Sequence, residues 1–411
     1  MPLISFQETK EKLFRLMKNL GMDFSELEKQ GLYSYVKIPV VKKPEDIIEF
    51  INKVIGDINP KIVVIDSISV LLESVKADDK RAWLQNYFYM LPEMINGLLI
   101  LIAKIPVDKE KIDLGSIEFV ADIVLIMKHR VELGLLSRVI EIRKARNSPL
   151  SIVEIPFRIT RGKGIEVFIL HIPMNLSKNF GHYEVRAPFF KDVIGVIPMD
   201  GVIAYIYSPD ARIYTPLLFL ADIILRYRLK IMVVSFIEHP YTLIKIAEDL
   251  GVVETKLDEE MIRDILSKHL IVVESINPYS ATMNEIWMQS LSMINEHKPN
   301  ILFIHGLESI YPILNKHAGT LFAVMFNALQ FLKSIGILTV LLLSRIDGSQ
   351  DLFLPLCDIV LSILRKTGSN VEVYLYLWKG DNAPGIYKLN LKEMRRSLGE
   401  YMRNIIQGNN G

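Results

Sequence analysis

Short runs of Val, Ile and Leu recur along the chain, separated by stretches with the spacing of amphipathic helices. Ile62 to Ile65, Leu98 to Ala103, Val202 to Tyr207 and Ile337 to Leu343 are such runs. They are apolar at successive positions rather than at alternate ones, as strands covered on both faces are. Strands of this kind alternating with helices predict an α/β architecture, a mainly parallel sheet with helices on both sides. In such sheets function gathers at the carboxyl ends of the strands. From Leu391 the pattern predicts a charged helix, and the closing Gly408-Asn409-Asn410-Gly411 predicts a frayed end.

The pattern occurs twice. Ser5-Phe6-Gln7-Glu8, followed by a helical stretch ending at Leu20-Gly21, matches Ser235-Phe236-Ile237-Glu238 with a stretch ending at Leu250-Gly251. Pro60-Lys61-Ile62-Val63-Val64-Ile65-Asp66-Ser67 matches Pro299-Asn300-Ile301-Leu302-Phe303-Ile304-His305-Gly306, and Ala121-Asp122-Ile123-Val124-Leu125 matches Cys357-Asp358-Ile359-Val360-Leu361. Order and spacing are kept, so a duplicated unit is expected. Between the halves, Pro173, Asn175, Ser177, Asn179 and Gly181 interrupt the periodicity, which places domains at 1–171 and 172–411.

Length agrees, since 411 residues exceed one ordinary core. Lys plus Arg number 48 against 47 for Asp plus Glu, so the net field gives no reason to expect a nucleic acid or an anionic membrane as partner. Mean hydropathy is high at +0.27, yet the apolar runs fall far short of the roughly 20 residues that span a bilayer. The single cysteine, Cys357, excludes an internal disulfide and a cysteine zinc cage. Met1 to Phe6 has neither the basic end nor the long apolar run of a signal peptide, and a cytoplasmic protein is expected.

The ordered residues resemble the KaiC branch of the RecA-like ATPases. The resemblance rests on Ser5-Phe6-Gln7-Glu8-Thr9, Ile65-Asp66-Ser67, Glu118-Phe119-Val120-Ala121-Asp122, Lys144-Ala145-Arg146, Pro156-Phe157-Arg158-Ile159-Thr160 and Gly164-Ile165. The second half repeats the order more loosely, opening at Gly195-Val196-Ile197-Pro198. The resemblance implies two RecA-like domains, frequently hexameric rings, and ATP held with Mg²⁺ at subunit interfaces.

A phosphate-binding P-loop needs Gly-x-x-x-x-Gly-Lys-Ser/Thr, whose glycines let main-chain N–H groups curl around phosphate while the lysine neutralises it. No stretch of the chain has this pattern. The first half starts at what the resemblance makes the second strand. Its first strand, P-loop and following helix are expected to be absent, leaving an edge that another segment or chain covers, unless the sequence begins late. In the second half Ser208-Pro209-Asp210-Ala211-Arg212-Ile213-Tyr214-Thr215 follows the strand, with both glycines gone and Tyr214 at the lysine position. Thr215 alone remains as a Mg²⁺ ligand, and Arg212 is a weak substitute for the lysine.

Other parts follow from the resemblance. Asp66, with Ser67 beside it, is similar to a Walker B aspartate, which orders Mg²⁺ through its water shell. His305 stands there in the second half, where a satisfied strand-end histidine is expected. The family's paired glutamates correspond to Gln7-Glu8 and Ile237-Glu238, so Glu8 is the remaining base and Gln7 a group that orients water. Lys144 and Arg146 resemble a pair that reaches a neighbour's γ-phosphate, against a plain reading as a basic strand end. Lys379 aligns with Lys144, and Asp381 with Arg146. Trp83, Trp287 and Trp378 read as core or interface.

These parts lead to a KaiC-like protein with weak or lost ATP and Mg²⁺ binding, retained for assembly or regulation. It forms a homo-oligomer, or a heteromeric ring with an intact KaiC-like paralogue. The alternatives are an active ATPase whose first P-loop lies upstream of Met1, and a RecA-like DNA-handling module.

Overall fold

The computed structural model describes residues 1–38, 44–74, 78–104, 117–132, 135–149, 154–167, 180–208, 214–280, 283–310, 318–345, 349–366, 372–380 and 383–408. Two compact units divide it, Met1–Arg130 with Ser137–Phe168, and Val131–Leu136 with Ile169–Gly411. The boundary expected at residue 172 lies outside the described residues, as do Asp210, Arg212 and Asp381.

In the first unit the apolar runs form β1 (Pro2–Ser5), β2 (Ser34–Lys37), β3 (Ile62–Asp66) and β4 (Leu98–Ile102), a parallel sheet in the order β2-β1-β3-β4. Ile4, Val63, Ile65, Ile51, Leu71 and Leu84 are among the residues of its core. Thr9 starts the helix Lys10–Asn19 by accepting from the Lys12 N–H at 3.3 Å, and Gly21 at φ +83° turns the chain out of it. A second sheet holds β5 (Ile123–Glu132), β6 (Leu135–Ala145), β7 (Glu154–Thr160) and β8 (Gly164–Val167) in that order, with β6-β7 and β7-β8 antiparallel.

The second unit has one large sheet and one two-stranded sheet among the described residues. After the short pair β9 (His182–Glu184) and β10 (Val196–Pro198) come β11 (Val202–Tyr207), β12 (Ile231–Ser235), β13 (Leu270–Ser275), β14 (Ile301–His305), β15 (Leu338–Ser344), β16 (Ile359–Lys366), β17 (Glu372–Lys379) and β18 (Gly385–Leu389). Eight of them run β13-β12-β14-β15-β11-β16-β17-β18, parallel as far as β16 and antiparallel beyond. All six side chains of β11 are buried, which explains its unbroken apolar run. The order β13-β12-β14-β15 is that of β2-β1-β3-β4. In the second unit β11 joins this group to β16; in the first, β4 and β5 lie in separate sheets.

The helix Leu218–Tyr227 packs on β11 through Phe219 and Ile223. Its fully buried Asp222 accepts from the main-chain N–H groups of Arg186 (2.7 Å) and Ala187 (3.0 Å), from Arg226 Nε (2.6 Å) and from the Tyr401 hydroxyl (3.0 Å). Full satisfaction is what allows a carboxylate in this core. Helix Pro240–Thr255 does not stop at Gly251 as its sequence predicts. There the glycine makes room for Ile262, whose Cγ2 would lie 2.7 Å from an added Cβ; the helix turns out only at Lys256, φ 57°. Gly399, on the closing helix Leu391–Ile406, has the same use: an added Cβ would lie 1.9 Å from the Glu254 carbonyl oxygen. Cys357 is buried just before β16, donates to the Phe353 carbonyl at 3.3 Å, and has its thiol pushed up to about 12, chiefly by burial.

Candidate functional site

Parallel pairing of β1, β3 and β4 aligns their carboxyl ends, with Ser5 opposite Asp66 and Asp66 opposite Ile102. Gln7 and Glu8 follow β1, Asp66 and Ser67 close β3, and Lys104 follows β4. Lys104 donates from Nζ to Gln7 Oε1, tying the two outer chain segments together over the end of β3. Its N–H is held by Ser69 Oγ at 3.0 Å. Lys104 was missed in the sequence, where a lone lysine directly after the apolar run Leu98 to Ala103 marks its position but not its partner.

Charge is distributed unevenly among these groups. Burial raises the Asp66 carboxyl above its ordinary range; the Lys104 charge opposes the rise and the Glu8 charge adds to it. Glu8, half-buried, is lowered, mainly by its contact with Lys12 Nζ at 2.8 Å. Its main-chain carbonyl accepts from Tyr35. Ser67 is buried and its Oγ accepts from the Ser69 N–H at 3.3 Å. The cluster therefore combines a strand-end carboxylate, a second carboxylate, an amide and an ammonium at one sheet edge, a set able to orient a hydrated cation or an anion.

Lys144 and Arg146 lie at the end of β6, in the other sheet of the unit. Lys144 Nζ donates to the carbonyls of Glu118 (2.9 Å) and Phe119 (2.8 Å), and Arg146 to the Phe119 carbonyl (2.7 Å) and Asp122 Oδ1 (3.3 Å). Both cations thus cap the short helix Ile117–Val120. In the second unit Lys379 Nζ likewise donates to a carbonyl, that of Ile194, at 2.6 Å, and burial lowers its ammonium.

The second unit places His305 opposite Ser235, the register that Asp66 and Ser5 have in the first. His305 is buried with both ring nitrogens engaged, Nδ1 with Ser235 Oγ at 3.1 Å and Nε2 with the Tyr207 hydroxyl at 3.0 Å. It is the satisfied strand-end histidine that the sequence predicts. Nearby, the Ser344 N–H (2.8 Å) and hydroxyl (2.6 Å) both donate to Glu308 Oε1, the tie that Lys104 makes to Ser69 in the first unit. Glu308 is buried and its carboxyl is raised by that burial. Thr215 is also buried; its hydroxyl donates to Glu254 Oε1 at 2.8 Å and accepts from Arg395 Nε at 3.4 Å. Among the described residues no group of three or more His, Cys, Asp or Glu is placed to hold a metal ion.

The seven residues singled out in the sequence therefore fall in three places: Gln7, Glu8, Asp66 and Ser67 together, Lys144 and Arg146 on the second sheet, and Thr215 inside the second unit. Of the tryptophans, Trp287 is buried, Trp378 half-buried and Trp83 exposed.

Residues 2–171 match the profile of the family described as "ATPase: KaiC". Among curated relatives, the circadian clock oscillator protein KaiC of Prochlorococcus marinus (strain MIT 9313) is 28% identical over 148 residues, 36% of this chain and 30% of the relative. The protein of the same name from Synechococcus elongatus is also 28% identical over 148 residues, 36% of this chain and 28% of its own length. The chain thus matches under a third of the length of these relatives.

Proposed function

Because the chain is KaiC-like, of the RecA-type ATPase superfamily across residues 2–171, we propose that it is an ATPase-derived protein kept for assembly or regulation, with ATP binding weak or lost. The observation that carries this reading is His305. At the register position where the first unit has Asp66, the second has a histidine held by Ser235 and Tyr207, with no carboxylate to offer a cation. Thr215, the other candidate ligand there, spends its hydroxyl on Glu254. Neither residue fits Mg²⁺–ATP.

The first unit fits better. Asp66 would hold Mg²⁺ through water, with Ser67 beside it, and bound Mg²⁺ would supply charge neutralisation for phosphate. Glu8 and Gln7 would orient a water there, Glu8 as the proton acceptor. A second reading, ATP hydrolysis by the first unit, draws its support from this cluster. Within either reading the protein is cytoplasmic and oligomeric, as a homo-oligomer or in a ring with an intact paralogue, where Lys144 and Arg146 would leave Phe119 to face a neighbour's phosphate. No helix among the described residues is long and apolar enough to cross a membrane.

Calorimetric titration of the full chain with ATP and Mg²⁺ tests the proposal. No heat, or binding weaker than about 1 mM (about −4 kcal/mol), is the expected result. Micromolar, Mg²⁺-dependent binding lost in Asp66→Asn overturns it in favour of the second reading.

A further inference from the structure

Lysines accompany the carboxylates at the strand ends of the first unit. Ser5 of β1 pairs with Lys37 on one side and with Asp66 on the other, so Lys37, the Gln7-Glu8 pair and Asp66 stand at three neighbouring strand ends. Lys104 follows the fourth strand, its N–H held by Ser69 Oγ at 3.0 Å and its Nζ donating to Gln7 Oε1. Lys12 Nζ lies 2.8 Å from Glu8 Oε2. The charge of Lys104 acts on both Asp66 and Glu8, and that of Lys37 on Glu8. Among the described residues three ammonium groups thus serve two carboxylates at one sheet edge. The second unit has neither strand-end lysine at the same registers. There Ser235 pairs with Ser275 and His305, where Ser5 pairs with Lys37 and Asp66. Ser344, whose N–H is held by Glu308 as that of Lys104 is by Ser69, stands in the place of Lys104. Lysine and aspartate occur together in one unit and are replaced together in the other, as groups that balance each other's charge are.

We propose that Lys104 takes the place of a divalent cation at the end of β3: its ammonium, anchored on Gln7, balances Asp66 and Glu8 and keeps Mg²⁺ from them. This rests on the reading that ATP binding is weak or lost, and it gives that weakness a cause in the first unit. Asp66, Glu8, Gln7 and Ser67 offer oxygen atoms that fit a hydrated cation. Lys104 is the group among them that repels one. An ammonium and a divalent ion a few ångströms apart beside the same carboxylates repel strongly enough, even near water, to change affinity about 10-fold or more. Gln7 makes the arrangement specific, since an amide oxygen accepts from an ammonium without adding charge, and the bond holds Lys104 over the end of β3. The other two lysines are less well placed. Lys12 makes a surface pair with Glu8 four residues along the chain, and Lys37 has β1 between it and Asp66.

Binding of Mn²⁺ to the full chain without nucleotide, read by electron paramagnetic resonance of the free ion, tests this. The parent is expected to show only the weak binding of a carboxylate-bearing surface, unchanged in Asp66→Asn. Lys104→Met and Lys104→Gln, at an exposed position, are expected to keep a melting temperature close to the parent's and to bind Mn²⁺ about 10-fold tighter or more. Adding Asp66→Asn removes the gain, and Lys104→Arg, which keeps the charge, does not produce it. Lys61→Met, at an exposed position just before β3 and so at its opposite end, removes the same charge from the same unit and gives no gain. Four results overturn the proposal. The neutral variants bind Mn²⁺ no tighter than the parent, or their gain survives Asp66→Asn. Lys61→Met or Lys104→Arg matches the gain, or the parent already binds Mn²⁺ as tightly through Asp66. No arm contains ATP, so failure here is separate from failure of the functional reading, which the ATP titration decides.

Discussion

The clearest single-residue contrast is Asp66 against His305, two groups at the same register of two similar sheets. His305 is fixed by two hydrogen bonds in a buried place, so His305→Asp is expected to bury a charge lacking a cation partner rather than to create a metal ligand. Chemical denaturation should show a loss of about 3–5 kcal/mol, and calorimetry no gain in ATP binding. Glu308 gives a pH signature. Its carboxyl is raised by burial, so its contribution favours folding below the ordinary carboxylate range and is lost as pH rises through the raised value. Glu308→Gln, whose amide oxygen can still accept from Ser344, should flatten that fall; melting temperature measured across the carboxylate range checks it. His305 was legible in the sequence because a strand-end histidine has a simple satisfied state. Lys104 was not, because its meaning depends on pairing with Gln7, 97 residues away.

At the scale of elements, the strands were legible as uninterrupted apolar runs, the pattern of a strand buried on both faces; β4 has that pattern but leaves Leu98, Ile100 and Ile102 exposed. Val202–Tyr207 forms as read, and Leu98 to Ala103 and Ile337 to Leu343 are each realised within a residue at either end. Glycines were the weaker guide. Gly21 ends a helix as expected, whereas Gly251 sits inside one, and the difference lies in Ile262 packing against it from a neighbouring helix. No local pattern encodes that contact. Gly399 extends the lesson: Gly399→Ala gains helix propensity but drives a methyl into the Glu254 carbonyl. We expect a net loss of about 1–3 kcal/mol, read by denaturant titration. Gly408→Ala, at φ +71° with nothing close to its Cβ position, is the comparison that isolates strain from packing.

At the scale of the whole molecule, the two units differ in continuity rather than in strand order. The second unit's eight-stranded sheet has β11 and β15 at its centre, while the first is built on two four-stranded sheets. Amides of β11 and β15 are therefore expected to be the slowest to exchange in the chain, and those of β4 and β8 among the fastest of the strands. That β5 to β8 stand as a sheet of their own was not legible in the sequence and required the pairing itself. Cys357 finally supplies a reporter for one unit alone. Its sulfur is buried beside β16 and its thiol is held up to about 12. A thiol-specific dye can therefore label it only when the second unit opens. The rate at which label accumulates becomes a clock for that opening, which the first unit, having no sulfhydryl, leaves untouched.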